Sequence, residues 1–155
     1  MRRIVPFLLA LMLCASASAE YVFCTPDTYV NVRSKPSGEA VGWIDCGTWV
    51  DTDGKTQKSG GHTWAHVTGL NAEDTEGWIC SEFLTDSPVN ISRRTAYAVA
   101  IGRLAIRKSP NGKVKGWLEN GEKCTVLADA DGWAITTRGY VMTEFLEFVE
   151  VAEDE

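Results

Sequence analysis

The chain lacks several features that would assign it to a common class of function. It contains only two histidines, His62 and His66, and its five cysteines form no CxxC pair, so neither a zinc knuckle nor a thioredoxin-type redox site is indicated. No apolar run beyond the N-terminal segment is long enough to cross a membrane, and helical periodicity is absent after that segment. No basic cluster offers a footprint for nucleic acid or anionic lipid, and no loop carries the spaced oxygen ligands of a calcium site.

Residues 1–19 have the layout of a cleaved signal peptide. Two arginines precede a short apolar run, and Ala-Ser-Ala then offers small residues at the cleavage position. We expect cleavage before Glu20, which predicts a secreted or cell-envelope protein whose mature chain does not insert into a membrane. An uncleaved anchor and a lipid-modified Cys14 are the alternatives. Leu13 argues against the second, because a small residue is expected just before a lipidated cysteine.

The mature chain is predicted to be acidic. Loss of the two N-terminal arginines takes the formal net charge from -6 to -8. A chain of this charge is a poor match for polyanions, so we expect no nucleic-acid partner. Residues 150–155 are predicted to form a solvated acidic tail after a last strand.

The chain repeats one series of segments. The first copy contains, in order, VNVRSKPSGEAVGWI (30–44), TWAHVTG (63–69) and GWICSEFL (77–84). The second copy contains LAIRKSPNGKVKGWL (104–118), GWAITTRG (132–139) and GYVMTEFL (139–146). A whole series repeated in the same order is far less probable by chance than one short motif, so it predicts two copies of one small module.

Both copies have the pattern of an all-β protein. Short alternating runs are broken by Gly, Asp, Asn and Pro, which is typical of a small barrel or sandwich. We predict a first domain over residues 20–84, a linker over 85–95 and a second domain over 96–149. The first copy has two longer intervals, residues 55–62 and 69–77, which are predicted to be surface loops.

These segments resemble the bacterial Src-homology-3-like domain family. The family opens with L-N-V-R-S-G-P and continues with G-x-L-x-x-G, G-W-x-x-V and G-W-V-x-x-x-Y-L. The first copy matches this order with VNVRSKP (30–36), GWIDCG (42–47), TWAHV (63–67) and GWICSEFL (77–84), and the second with LAIRKSP (104–110), GWLENG (116–121), GWAIT (132–136) and GYVMTEFL (139–146). The copies depart from the pattern at Thr63, at Ala105, and at Phe83 and Phe145, which replace the terminal Tyr.

The resemblance implies two tandem, strongly bent β-barrels, each ending in a 3₁₀ turn, with a peptide-binding groove in each. The predicted groove residues are Trp64, Phe83 and Trp78 in the first copy and Trp133, Phe145 and Tyr140 in the second. Flat aromatic faces suit extended peptides. For Trp64 and Trp133 the alternative is packing in the core, and for Trp78 and Tyr140 the choice is between groove rim and core.

The remaining tryptophans are assigned from their neighbours in sequence. Trp43 and Trp117 share the alternation of the core residues and are expected to pack inside. Trp49 has Lys123 as its counterpart in the second copy and is expected to be exposed.

Four cysteines remain in the mature chain, and an exported protein permits disulfides. Three full connectivities are open. We predict a bridge that joins Cys80 to Cys24 or Cys46, which all fall in the first copy. Cys124 takes the inward position that Val50 occupies in the first copy, so a buried thiol is expected there.

The sequence favours binding over catalysis. A pair of Cys46 or Cys80 with His66 is conceivable for a hydrolase, but a surface histidine is the commoner outcome on such a strand. We therefore predict no enzyme, no catalytic residue, no metal site and no cofactor.

Two functions follow as hypotheses. The first is an exported, non-enzymatic binding module for the peptide of peptidoglycan or another extended peptide at the cell envelope. The alternative is a protein–protein adaptor or inhibitor that acts on a secreted or surface partner, for which an acidic surface would favour a basic partner. The oligomeric state is left open.

Overall fold

The computed structural model describes residues 18–69 and 76–150, which form two seven-stranded antiparallel sheets. The prediction of an all-β fold in two tandem modules is confirmed. Most of the predicted signal peptide, the centre of the predicted loop over 69–77 and most of the acidic tail lie outside the described residues. Across the two described stretches, no helix has the length and apolar character that a membrane crossing requires.

Each module has seven strands and one 3₁₀ turn. The first module contains β1 (Ser18–Val22), β2 (Tyr29–Arg33), β3 (Ala40–Asp45), β4 (Trp49–Ser59), β5 (His62–Thr68), β6 (Gly77–Cys80), the turn Ser81–Phe83 and β7 (Leu84–Thr85). The second contains β8 (Arg94–Ala98), β9 (Arg103–Arg107), β10 (Val114–Glu119), β11 (Lys123–Ala130), β12 (Trp133–Thr136), β13 (Gly139–Met142), the turn Thr143–Phe145 and β14 (Leu146–Phe148).

The two sheets have the same topology. The strand order is β3-β2-β6-β5-β4-β1-β7 in the first module and β10-β9-β13-β12-β11-β8-β14 in the second. Each strand of the second order is the counterpart of the strand at the same place in the first. The repeat in the sequence is therefore a repeat of the fold, and both 3₁₀ turns lie where the resemblance places them, at SEFL and TEFL.

Each sheet curls around its own apolar core. In the first module, Val22 on β1 packs in one cluster with Val30 on β2 and Ile44 on β3, although β1 and β3 lie far apart in the strand order. A flat sheet would keep these side chains apart, so the sheet bends over them, as in a small barrel, without closing. The second core is built in the same way around Leu104, Ile106 and other buried residues.

The prediction of a loop over residues 55–62 is wrong. β4 and β5 continue through this stretch as a paired hairpin that ends at the Ser59–His62 pair. Gly60 and Gly61 form the turn, with φ of 61° and 80°. Two successive positive φ angles give a turn whose twist matches that of the flanking strands, and glycine adopts them at little cost.

Three strands were not expected from the sequence, and the shortest of them is β7 (Leu84–Thr85). β8 lies partly within the predicted linker, and its inward side chains, Ala96 and Ala98, are too small to give a hydrophobic signal. β1 begins at Ser18 and pairs with β4 and β7. Its first two residues belong to the predicted signal peptide, so cleavage before Glu20 would leave the shorter strand Glu20–Val22.

The prediction that Trp43 and Trp117 pack inside is also wrong. Trp43 is 67% exposed and Trp117 is 44% exposed, because Ile44 and Leu118 take the inward positions of β3 and β10. Side chains alternate between the two faces of a strand, so only one residue of each Trp-apolar pair points inward. The expectation that Trp49 is exposed is confirmed.

A third apolar cluster joins the modules. Phe23, which directly follows β1, packs with Trp133, Ile135, Tyr140 and two alanines on the outer face of the second sheet. Phe23 is 2% exposed and meets the Tyr140 ring edge-on, with the ring centroids 5.5 Å apart. The second module is therefore docked through the outer face that carries Trp133 and Tyr140, for which the sequence predicted a groove or core packing.

Candidate functional site

An aromatic cleft lies on the first module where β5, β6 and the first 3₁₀ turn meet. Antiparallel pairing places Trp64 of β5 directly opposite Cys80 of β6. Phe83 follows in the 3₁₀ turn, and Arg33 comes from the end of β2, which pairs with β6. We call these four residues the first cleft.

The first cleft joins two adjacent cavities of about 350 and 330 Å³, because its four residues line both of them. The indole Nε1 of Trp64 donates a hydrogen bond to the Ser59 carbonyl at 3.0 Å, which fixes the ring. Trp64 is only 7% exposed, so it forms part of the cleft floor. Phe83 is half-buried and forms a wall.

Arg33 contributes the positive charge of the first cleft. Its guanidinium lies over the Trp64 ring, 5.7 Å from the centroid, and Nη1 donates to the Gly38 carbonyl at 2.6 Å. In the second module Arg107 donates to the Gly112 carbonyl at 2.8 Å in the same way. The repeated Arg and Gly of the sequence are therefore joined by a hydrogen bond that holds the loop between them. In the first module this bond also keeps the Arg33 guanidinium over the Trp64 ring.

The second module completes one side of the larger cavity with Lys108 and Tyr140. The Tyr140 hydroxyl donates a hydrogen bond to the Phe23 carbonyl at 3.2 Å, which holds this wall in place. Burial raises the pKa of the Tyr140 hydroxyl well above its ordinary value. Lys108 is exposed and adds a second positive charge at the rim.

The corresponding residues of the second module are not brought together. Phe145 lines a separate cavity of about 320 Å³ with Arg107, Met142 and Trp117. Trp133 instead lies in the cluster between the modules and borders a cavity of about 210 Å³ there. The aromatic pair predicted for the second groove therefore does not line one cavity, and Trp133 packs with Phe23 in the interface between the modules.

Trp78 lies outside the first cleft, on the outer face of β6. Its ring is 5.0 Å from that of His66, and His66 Nδ1 is 3.0 Å from a carboxylate oxygen of Asp53. The Lys55 ammonium, 2.6 Å from the same oxygen, and to a lesser degree His66 hold the pKa of Asp53 at about 2. His66 is thus engaged with Asp53 and Trp78, and no Cys–His pair forms with it among the described residues.

The predicted disulfide through Cys80 is not formed, and all four described cysteines are free thiols. The fold places Cys24 beside Cys46, whose thiol donates to the Cys24 carbonyl at 2.7 Å. The contact with the Cys24 thiol lowers the pKa of Cys46 to about 7, and the same contact raises that of Cys24. Cys124 is buried in the second core, as expected.

Cys80 is engaged elsewhere. Its thiol donates to Glu82 Oε1 at 3.3 Å, and burial, followed by this bond, raises its pKa to about 11. A cysteine nucleophile needs the opposite shift, because the thiolate is the reactive form. In chemical terms the first cleft is an apolar, aromatic surface with two cations, Arg33 and Lys108, at the larger cavity and the Glu82 carboxylate at the smaller one.

The repeated arginine of the sequence pointed to Arg33, whereas nothing in the sequence pointed to Lys108. Tyr140 was predicted for a groove of the second module and instead lines the larger cavity of the first cleft. Lys108 and Tyr140 enter the site only because the second module docks beside the first.

No family model and no curated protein sequence matches the chain. Among solved structures, it superposes on NlpC2 and NlpC1 of Trichomonas vaginalis with 16% and 18% identity and TM-scores of 0.32 and 0.34. A candidate autolysin of Listeria monocytogenes gives 12% identity and a TM-score of 0.33. These alignments cover 89%, 97% and 90% of this chain but only 52%, 54% and 66% of those proteins.

Proposed function

We propose that the protein is an exported, non-enzymatic binding module whose first cleft takes an extended peptide of the cell envelope, such as the peptide of peptidoglycan. The observation that carries the proposal is the convergence of Trp64, Phe83 and Arg33 around two joined cavities. The Src-homology-3-like resemblance of the sequence agrees with this use of the fold.

The shape and composition of the first cleft favour a chain-like ligand. Two cavities that share a floor offer successive positions for neighbouring side chains of an extended peptide. Aromatic and apolar walls bind the apolar parts of such a ligand, and burial of each contacted group releases ordered water.

The charge at the first cleft favours a ligand with free carboxylates. The chain as a whole has a formal net charge of -6, but Arg33 and Lys108 both line the larger cavity. Local positive charge in an acidic surface selects the orientation of an anionic ligand and steers its approach. Wall peptides carry free carboxylates, which match the two positive charges at the larger cavity.

The test is binding of the purified mature chain to isolated cell walls and to soluble wall peptides. We expect the chain to co-sediment with walls, and we expect Phe83→Ala and Lys108→Gln each to weaken peptide binding several-fold in calorimetry. Trp49→Ala is the matched control, because Trp49 is an exposed aromatic residue that lines neither cavity. The proposal fails if no wall material binds, or if the two cleft variants bind as well as the control.

A protein–protein adaptor is the second candidate, and the edge strand β3 favours it. Tyr29, Val41 and Trp43 are each more than half exposed, and the rings of Tyr29 and Trp43 lie 6.3 Å apart. An apolar group beside an open sheet edge is a typical protein-binding surface. Capture of one stoichiometric protein from culture medium, lost in Trp43→Thr but retained in Phe83→Ala, would support the adaptor over the wall-binding module.

A further inference from the structure

A cluster of three metal-binding side chains lies at the far end of the smaller cavity. His62 begins β5, Cys80 ends the neighbouring β6, and Glu82 follows in the 3₁₀ turn. Antiparallel pairing brings the start of one strand to the end of the next, so residues far apart in the sequence meet here. His62 Nδ1 lies 3.2 Å and Cys80 Sγ lies 3.3 Å from the same oxygen of Glu82.

From this arrangement we propose that His62, Cys80 and Glu82 form a binding site for one zinc-class cation. The donor atoms of the three side chains lie within 4.8 Å of one another. In a tetrahedral zinc site with bonds of about 2.0 to 2.3 Å, neighbouring donor atoms lie about 3.3 to 3.6 Å apart. The two measured separations from Glu82 therefore nearly equal the edges of such a tetrahedron, and a cation would fit with small movements of the side chains.

The donor set selects the class of metal. A thiolate and an imidazole bind zinc and cobalt well, whereas calcium and magnesium require mainly oxygen ligands. On binding, Cys80 loses its proton, so the two anionic ligands, Cys80 and Glu82, balance the charge of a divalent cation. Arg33 lines the same cavity, but its guanidinium is directed to the Gly38 carbonyl and the Trp64 ring.

Three protein ligands leave one tetrahedral position open. His62 is largely exposed, and all three residues line the cavity of about 330 Å³ that belongs to the first cleft. The fourth position therefore faces solvent, where water or a carboxylate can complete the shell. The site does not depend on the proposed peptide, since it is built entirely from side chains of the first module.

The second module supplies an internal comparison. The counterparts of His62, Cys80 and Glu82 are Asp131, Met142 and Glu144. That set has neither imidazole nor thiol, so the same fold position should not select zinc there. One metal per chain is therefore expected.

The test is titration of the full, reduced chain with cobalt(II), followed by displacement with zinc(II). We expect one cobalt per chain and the near-ultraviolet absorption band of a cobalt–thiolate bond, both lost in Cys80→Ser. His62→Gln and Glu82→Gln should each weaken binding by at least roughly ten-fold. His62 is exposed, so His62→Gln should fold normally. Its cobalt binding therefore tests the proposal even if Cys80→Ser is unstable.

Cys46→Ser is the control, because Cys46 is a free thiol beside Cys24 and away from the three ligands. It should retain the band and the stoichiometry. A band that is absent from the wild-type chain, or that disappears in Cys46→Ser and persists in Cys80→Ser, would overturn the proposal. In the first case the three side chains form only a hydrogen-bonded triad.

Discussion

The outer face of the β5–β6 pair in the first module differs from that of the matched β12–β13 pair in the second. His66 faces Trp78 in the first module, and Ile135 faces Tyr140 at the same register positions in the second. The first pair has a carboxylate, Asp53, beside it, whereas Phe23 covers the second pair. The same fold position therefore remains polar in one copy and serves as a docking surface in the other.

This difference explains why the two aromatic grooves are unequal. Phe23 packs with Trp133 and Tyr140, whereas Phe145 lines a different cavity. In the first module Trp64 is equally buried, but the Arg33 guanidinium rather than an aromatic ring lies over it, and its cleft gains a wall from the second module. Docking thus places Trp133 in the interface and adds a wall to the first cleft.

The largest expected effect comes from removing the residue that docks the modules. Phe23→Ala should lower the free energy of unfolding by about 3 to 5 kcal/mol, because it deletes a fully buried ring from a packed cluster. Urea denaturation of the full chain measures this, and the variant should unfold in two separated steps. Phe83→Ala, at a half-buried ring, is the control and should cost clearly less; equal losses would argue against docking through Phe23.

The reactivity of the cysteine thiols should also differ between the modules, with Cys46 of the first more reactive than Cys124 of the second. The pKa of Cys46 is lowered to about 7, whereas burial raises that of Cys124. At pH 7 a thiol with a pKa of about 7 is about half thiolate, against about three per cent or less for a thiol with an ordinary or raised pKa. Mass-spectrometric mapping after brief alkylation should find Cys46 modified first.

The rate of Cys46 alkylation should depend on pH. Because the Cys46 thiolate is the reactive form, the rate should rise as pH increases through 7 and level off above it. A profile that still rises steeply at pH 9 would show that the contact with Cys24 does not lower the pKa of Cys46.

Exchanging the matched outer residues His66 and Ile135 should lower the unfolding free energy more in the second module than in the first. Ile135→His places an imidazole without a partner in the interface between modules, and it should cost about 1 to 3 kcal/mol of unfolding free energy. The reciprocal His66→Ile should cost less than about 1 kcal/mol, since His66 lies at a partly exposed face. Equal costs in thermal or urea denaturation would contradict the assignment of the two faces.

The smallest effect is expected at the exposed tryptophans. Trp43→Thr should change the unfolding free energy by no more than about 0.5 kcal/mol, because its ring is 67% exposed. Trp117→Thr should cost about 1 kcal/mol or less, since that ring is 44% exposed and also contacts the Arg103 guanidinium. Their fluorescence in the wild-type chain should be readily quenched by iodide. A loss of several kcal/mol would restore the sequence-based expectation that these rings pack in the core.

Local patterns predicted the all-β class, the two modules and most strands, because alternation and turn residues act over a few positions. They failed where the signal was weak or ambiguous. β8 buries only alanines, and in the Trp43-Ile44 pair both residues are apolar, so the pattern could not tell which faces inward. The hairpin over 55–62 was missed because its exposed strands are polar.

The candidate site was only partly visible in the sequence. Trp64 and Phe83 were predicted from the resemblance, and the fold brings them together. The proposed cation ligands were not predicted as a set, since their approach depends on the exact pairing of β5 with β6. Cys80 was instead assigned to a disulfide, although the fold pairs Cys24 with Cys46 as neighbours and gives Cys80 a carboxylate partner.

By itself the sequence determined that the chain folds as a repeated, strand-built module, because period-two alternation and glycine turns are local properties that each copy carries in full. Only the tertiary structure decided which copy keeps an open cleft. That choice depends on the contact between Phe23 and Tyr140, which are 117 positions apart in the sequence. A contact over such a separation produces no periodic pattern in the sequence.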